Sequence, residues 1–98
     1  MITEAIRRDP RTRSVRVRGE VSGFKHHLAT GHWYFSLKDP GSAVSCVMFR
    51  TANLKTAFRP KDGEQVLAEG YVDVYAAQGK YQLYVTGLRR AGLGDQFI

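Results

Sequence analysis

Val15, Val17 and Val21 alternate with Arg16, Arg18 and Glu20, the two-residue period that places apolar side chains on one face of a strand. The pattern predicts a half-buried strand over 14–22, and Gly19 inside it predicts a bulge or sharp bend. A second strand is predicted over 32–39, where Trp33, Phe35 and Leu37 oppose His32, Tyr34, Ser36 and Lys38. A third, over 43–49, is apolar on both faces; if Val44, Cys46 and Met48 pack inward, Phe49 falls outward. Over 65–75, Val66, Ala68, Gly70, Val72 and Val74 oppose Leu67, Glu69, Tyr71, Asp73 and Tyr75, and over 80–88, Tyr81, Leu83 and Val85 oppose Gln82, Tyr84 and Thr86.

Between these runs lie a loop bracketed by Gly23 and Gly31, the turn Asp39-Pro40-Gly41-Ser42, a turn from Pro60 to Gly63 and another from Ala76 to Gly79, all rich in turn-forming residues. Residues 50–58 fit a short helix with Leu54 and Phe58 on one face. Ile2, Ala5 and Ile6 form the stripe of another, starting near Thr3 and stopped by Pro10. Three strands, a helix and two strands in a chain of 98 residues leave exposed edges unless the sheet closes on itself. The expected architecture is an all-β, five-stranded OB-fold barrel over 14–90. A helical segment (1–13) precedes it, a short helix lies between strands 3 and 4, and the Gly-rich residues 91–98 read as the start of a linker to a further domain.

The formal charge of +6 and a sequence pI of about 9.8 add a partner class: basic domains attract polyanions. The one cysteine excludes an internal disulfide framework and suits a reducing cytoplasm. No apolar run approaches the ~18 residues of a membrane span, and residues 1–13 lack a signal-peptide core, so the expected setting is cytoplasmic, with no membrane.

With the valine faces inward, Arg16, Arg18, Tyr34, Lys38, Phe49, Tyr71, Tyr75 and Tyr84 face outward. Cations for phosphates and flat rings for unstacked bases are what a single strand requires. Lys25 and His26, in the loop between the first two strands, and Lys80, beside the last turn, would flank a groove in such a barrel. Tyrosine is also an ordinary strand residue, so the candidacy rests on the set. His26, His27 and His32 lack the spacing and partners of a metal site; they read as polar loop residues able to stack or to contact phosphate. Glu69 and Asp73, four apart on a strand, stand about 13 Å apart, too far to share a metal. No catalytic constellation, metal site or cofactor motif is expected.

The stretch VRGEVSGFKHHLATGHWYFSLKD resembles the opening of the exodeoxyribonuclease VII large subunit family, with its V-R-G-E-[IV]-S-x-[FL] pattern and a Gly-His before an aromatic strand closing in L-K-D. VSCVMFR, FRPKDGEQVLAEGYVDVY, GKYQLYV and AGLGD continue the resemblance to about Asp95. It implies a domain that holds single-stranded DNA for a cytoplasmic exodeoxyribonuclease. Such an enzyme cuts DNA to short oligonucleotides without divalent metal and works with copies of a small subunit, its nuclease centre lying beyond this chain. Arg18, Tyr34, Lys38 and Arg50 lie in the resembling blocks. Two other readings stay open: an anticodon-binding OB domain of a tRNA synthetase, which shares the L-x-D strand ending, and an OB domain that docks a protein.

Overall fold

The computed structural model describes residues 14–75 and 80–91, except the side chains at 74, 75 and 80. The helix expected ahead of Pro10, the turn 76–79 and the tail after Ala91 lie outside the described residues. Five strands close into a barrel: β1 (Val15–His26), β2 (Trp33–Asp39), β3 (Ser42–Met48), β4 (Gln65–Tyr75) and β5 (Lys80–Arg90). The order around it is β1-β2-β3-β5-β4, with β1 also paired to β4. All pairings are antiparallel except β3 with β5. Between β3 and β4 sits the short helix α1 (Arg50–Asn53). The expected OB-fold architecture is what forms, and closure satisfies the ladder hydrogen bonds that open edges would expose.

The predicted alternation fills the interior: Val17, Val21, Phe35, Leu37, Val44, Cys46, Met48, Val66, Leu83 and Val85 are buried together. Cys46 is core packing; burial pushes its thiol pKa up to about 12, so thiolate chemistry is suppressed. Tyr81 shares the parity of Leu83 and Val85 yet is 43% exposed; it sits one pair from the Tyr75–Lys80 end of the β4–β5 ladder.

β1 departs from the sequence expectation. Gly19 pairs regularly with Val66, and the irregularity lies further on, between Ser22 and Lys25, where the register against β2 slips by one residue. Gly23 occupies that slip at φ +65°, a conformation that L side chains rarely adopt. The strand therefore does not end at 22; it absorbs one extra residue and runs to His26. Inward parity switches with it. Phe24 packs edge-on to Trp33 (centroids 5.4 Å apart, 68° between planes), and Lys25 turns outward opposite Tyr34.

The turn before β4 secures this bulge. Asp62 Oδ1 accepts the Phe24 amide at 2.9 Å, Val21 N–H donates to Glu64 O at 2.9 Å, and Gly63 N–H donates to Val21 O at 2.8 Å. Arg90 Nε donates to Glu64 Oε2 at 2.7 Å while its guanidinium lies 4.3 Å above the Phe58 ring. That hydrogen bond holds the Glu64 carboxyl below its ordinary range, and solvent screening keeps the pair's contribution small.

The helix expected over 50–58 is a single turn. Asn53 ends it by turning its amide inward, where Nδ2 donates to Gly31 O (2.9 Å) and Met48 O (3.2 Å); asparagine readily diverts hydrogen bonds from helical backbone. Leu54 is left 70% exposed, and Phe58 reaches the core from a bend, not from a helical face.

At Gly70, beside the irregularity in the β4–β5 ladder, an added Cβ would stand 2.0 Å from the Tyr84 carbonyl oxygen. Gly70→Ala is therefore expected to cost about 3 kcal/mol or more in urea unfolding. Gly87→Ala, whose Cβ would meet nothing closer than 3.9 Å, is expected to stay within about 1 kcal/mol of the parent.

Candidate nucleic-acid interface

The barrel registers assemble the outward side chains into cross-strand rows. One row crosses all five strands: Lys25 faces Tyr34, Tyr34 faces Val47, Val47 faces Tyr84, and Tyr84 faces Tyr71. Neighbours in such a row are about 5 Å apart, close enough for rings on directly paired positions to meet. Tyr71 and Tyr84 stack with centroids 5.1 Å apart and 14° between planes. Phe49 continues the set, 5.8 Å from Tyr84 and 4.9 Å from His32. Val47 points outward yet is only 3% exposed, an apolar floor between the Tyr34 and Tyr84 positions. Tyr34, Phe49 and Tyr71 keep 39%, 40% and 40% exposure, so ring surface remains open. Beside this row runs a polar one, Ser22, Ser36, Ser45, Gln82 and Asp73, which leaves a low track alongside the rings.

The β1–β2 turn is built onto one end of the row. His32 Nδ1 accepts the Arg50 amide at 3.0 Å, Arg50's aliphatic stem runs across Gly31, and Asn53 holds the Gly31 carbonyl. His27 lies edge-on to Tyr34, 6.3 Å away, with its Nδ1 2.9 Å from Thr30 Oγ1. Leu28 at the turn's tip is 86% exposed.

The structure sorts the sequence candidates. Lys25, Tyr34, Phe49, Tyr71 and Tyr84 come together in and beside the ring row, and Arg50 sits next to Phe49. Lys25 stands there as a strand residue, not a loop residue. Lys38 shares the face but lies two rows away, 3.7 Å from Glu20. His26 takes the parity of Phe24 and accepts a hydrogen bond from Arg59 Nη2 at 2.7 Å, which turns it from the rings. Arg16 and Arg18 stand on the first half of β1, which pairs with β4 and not with β2. The side chains of Tyr75 and Lys80 lie outside the described residues, though their backbones pair in the β4–β5 ladder. Val47 and Asn53 were absent from the sequence candidates, and His27 and His32 were expected only as polar loop residues able to stack or to contact phosphate. A third strand apolar on both faces was the one sequence signal for Val47; the others depend on the register slip and the shortened helix. Among the described residues no three His, Cys, Asp or Glu groups converge as metal ligands, and no helix is long and apolar enough to cross a membrane.

Residues 1–89 match the family described as OB-fold nucleic acid binding domain. The chain is similar to proteins named exodeoxyribonuclease 7 large subunit. It is 47% identical to that of Natranaerobius thermophilus over 87 residues (89% of this chain, 20% of the relative), and 46% identical to that of Syntrophomonas wolfei over 90 residues (92% and 22%). The chain thus spans about a fifth of the length of these curated relatives. Among solved structures, a replication protein A heterotrimer bound to ssDNA superposes with TM-score 0.66 at 12% identity, covering 83% of this chain and 59% of that one. The SSB domain of a Synechococcus protein superposes with TM-score 0.65 at 15% identity, covering 81% and 96%. At such identities the likeness is one of fold.

Removing the Asn53 amide would leave the Gly31 and Met48 carbonyls without their side-chain donor. Asn53→Ala is expected to lower stability by about 1–3 kcal/mol, read as a lower urea midpoint at unchanged m-value.

Proposed function

Since this chain belongs to the family of OB-fold nucleic acid binding domains, we propose that it is the part of an exodeoxyribonuclease VII large subunit that holds single-stranded DNA. The observation that carries the reading is the cross-strand row of rings, exposed at Tyr34 and Tyr71 and half-buried at Tyr84 between them, with exposed Phe49 beside it and Lys25 and Arg50 at its flanks. Unpaired bases expose π-faces that stack on such rings whatever their identity, and the cations neutralise the connecting phosphates. The Val47 floor and the turn fixed by Asn53 hold the rings in place before ligand arrives, which lowers the ordering cost of binding.

In this reading the barrel contributes grip and no chemistry. Cleavage of phosphodiester bonds, assembly with small subunits and a cytoplasmic setting belong to the longer parent protein. Support for that assignment comes from the large subunits to which the chain is 46–47% identical. The spread of their similarity along the chain also favours this over a tRNA synthetase domain.

The test is a fluorescence-polarisation titration of the 98-residue chain against a labelled single-stranded oligonucleotide. Contact with about three or four phosphates gives a log–log salt slope of about −2 to −3. The double variant Tyr34→Ala/Tyr84→Ala, folded by circular dichroism, is expected to bind about 30-fold or more weakly, since each stacked base contributes roughly 1–3 kcal/mol. No binding at low salt, or equal binding by the double variant, refutes the proposal.

A further inference from the structure

Away from the ring row, the wall where β1, β4 and β5 meet carries a different chemistry. Arg18 faces Leu67, and Leu67 faces Arg89; one row along, Arg16 faces Glu69, and Glu69 faces Gly87. Arg16, Arg18 and Arg89 are all exposed. Leu67, outward between two arginines, is only 7% exposed, so the wall offers little apolar surface to drive protein docking. Among the described residues it carries the guanidinium groups of Arg16, Arg18 and Arg89 together with the carboxylate of Glu69, which accepts from Arg16 Nε at 2.9 Å. Guanidinium is the side-chain group best shaped to grip phosphate.

The wall is not isolated from the rings. Next to the Tyr71–Tyr84 stack is a hollow of about 310 Å³ lined by Ser14, Gly70, Tyr71 and Thr86. A second hollow, of about 230 Å³, is lined by Arg16, Leu67, Glu69, Gly87, Leu88 and Arg89. The linings abut along both strands, Gly70 beside Glu69 and Thr86 beside Gly87. A depressed path therefore leads from the last ring pair to the arginines, with glycine at both crossing points. From Tyr71 to Leu67 it covers about 13 Å of strand.

We infer that this path is a second segment of the nucleic-acid site: a single strand leaving the rings at Tyr71 runs over β4–β5, and Arg16, Arg18 and Arg89 hold its phosphates. The inference rests on the ring row being the base-binding face, and it assigns the arginines a task separate from stacking. Glu69 acts against the ligand there by competing for Arg16.

Oligonucleotide length separates the two segments. Single OB folds occupy roughly 4 to 16 nucleotides, so a strand of about 4 fits the rings alone and one of about 12 reaches the arginines. Arg16→Gln/Arg18→Gln/Arg89→Gln is expected to bind the longer strand at least about tenfold more weakly, to flatten its salt slope by about 2, and to bind the shorter strand as the parent does. Should that variant fail to fold, Glu69→Gln decides: it is expected to tighten binding of the longer strand and leave the shorter unchanged. Equal effects on both lengths, or none on the longer, overturn the second segment while leaving the rings as the site. Loss of binding only on changing Tyr34 and Tyr84 speaks to the rings alone, and a parent chain that binds neither length removes both.

Discussion

The register slip in β1 is the constraint on which the rest depends. One strand must pair with β4 along its first half and β2 along its second, and a regular strand cannot turn that corner while keeping its valines inside. The extra residue at Gly23, with φ +65°, bends the strand and reverses its parity. Without the reversal, Phe24 would leave the Trp33 and Phe35 cluster and Lys25 would leave Tyr34. The turn 60–64 is tied to the slip through the Phe24 amide, which Asp62 accepts. A block of turn residues that reads as punctuation in the sequence thus has a specific structural task.

From that corner onward, parity determines chemistry. Strands that alternate faithfully bury aliphatics and present rings and polar groups in aligned rows, since antiparallel and parallel registers alike set equivalent positions side by side. The exposed face thereby divides into a ring row over a Val47 floor, a polar row beside it, and an arginine wall across the β4–β5 ladder. Rings stack on bases and guanidinium groups hold phosphates, so the division matches the two chemical parts of a nucleotide strand.

Much of this was legible in the sequence. Period-two apolar residues set four of the strands and their inward faces, and the Asp39 turn forms as its residues suggest, Asp39 Oδ1 accepting the Gly41 and Ser42 amides at 2.9 Å. The misreadings share one cause: long-range hydrogen bonds override local pattern. Gly23 looked like the end of a strand because only its partner β2 and Asp62 reveal the bulge. Residues 50–58 looked helical because Asn53's two carbonyl acceptors, on Gly31 and Met48, are distant in sequence or at a strand end. Tyr34 and Tyr84 were recognisable as outward residues, but that Val47 alone separates them follows from a parallel β3–β5 register that no local pattern encodes. For the same reason Arg16 and Arg18 looked interleaved with the tyrosines, whereas pairing with β4 sets them on the neighbouring wall.

The central claim is that one row of rings on this barrel receives a single strand. A titration of the isotopically labelled chain with an oligonucleotide of about 4 nucleotides, near the smallest site of an OB fold, tests it most directly through amide and aromatic NMR shifts. The largest changes should fall on Tyr34, Val47, Phe49, Tyr71 and Tyr84, with Lys25 and Arg50 at their margins. Changes centred elsewhere on the barrel, with these rings undisturbed at saturation, would contradict the account.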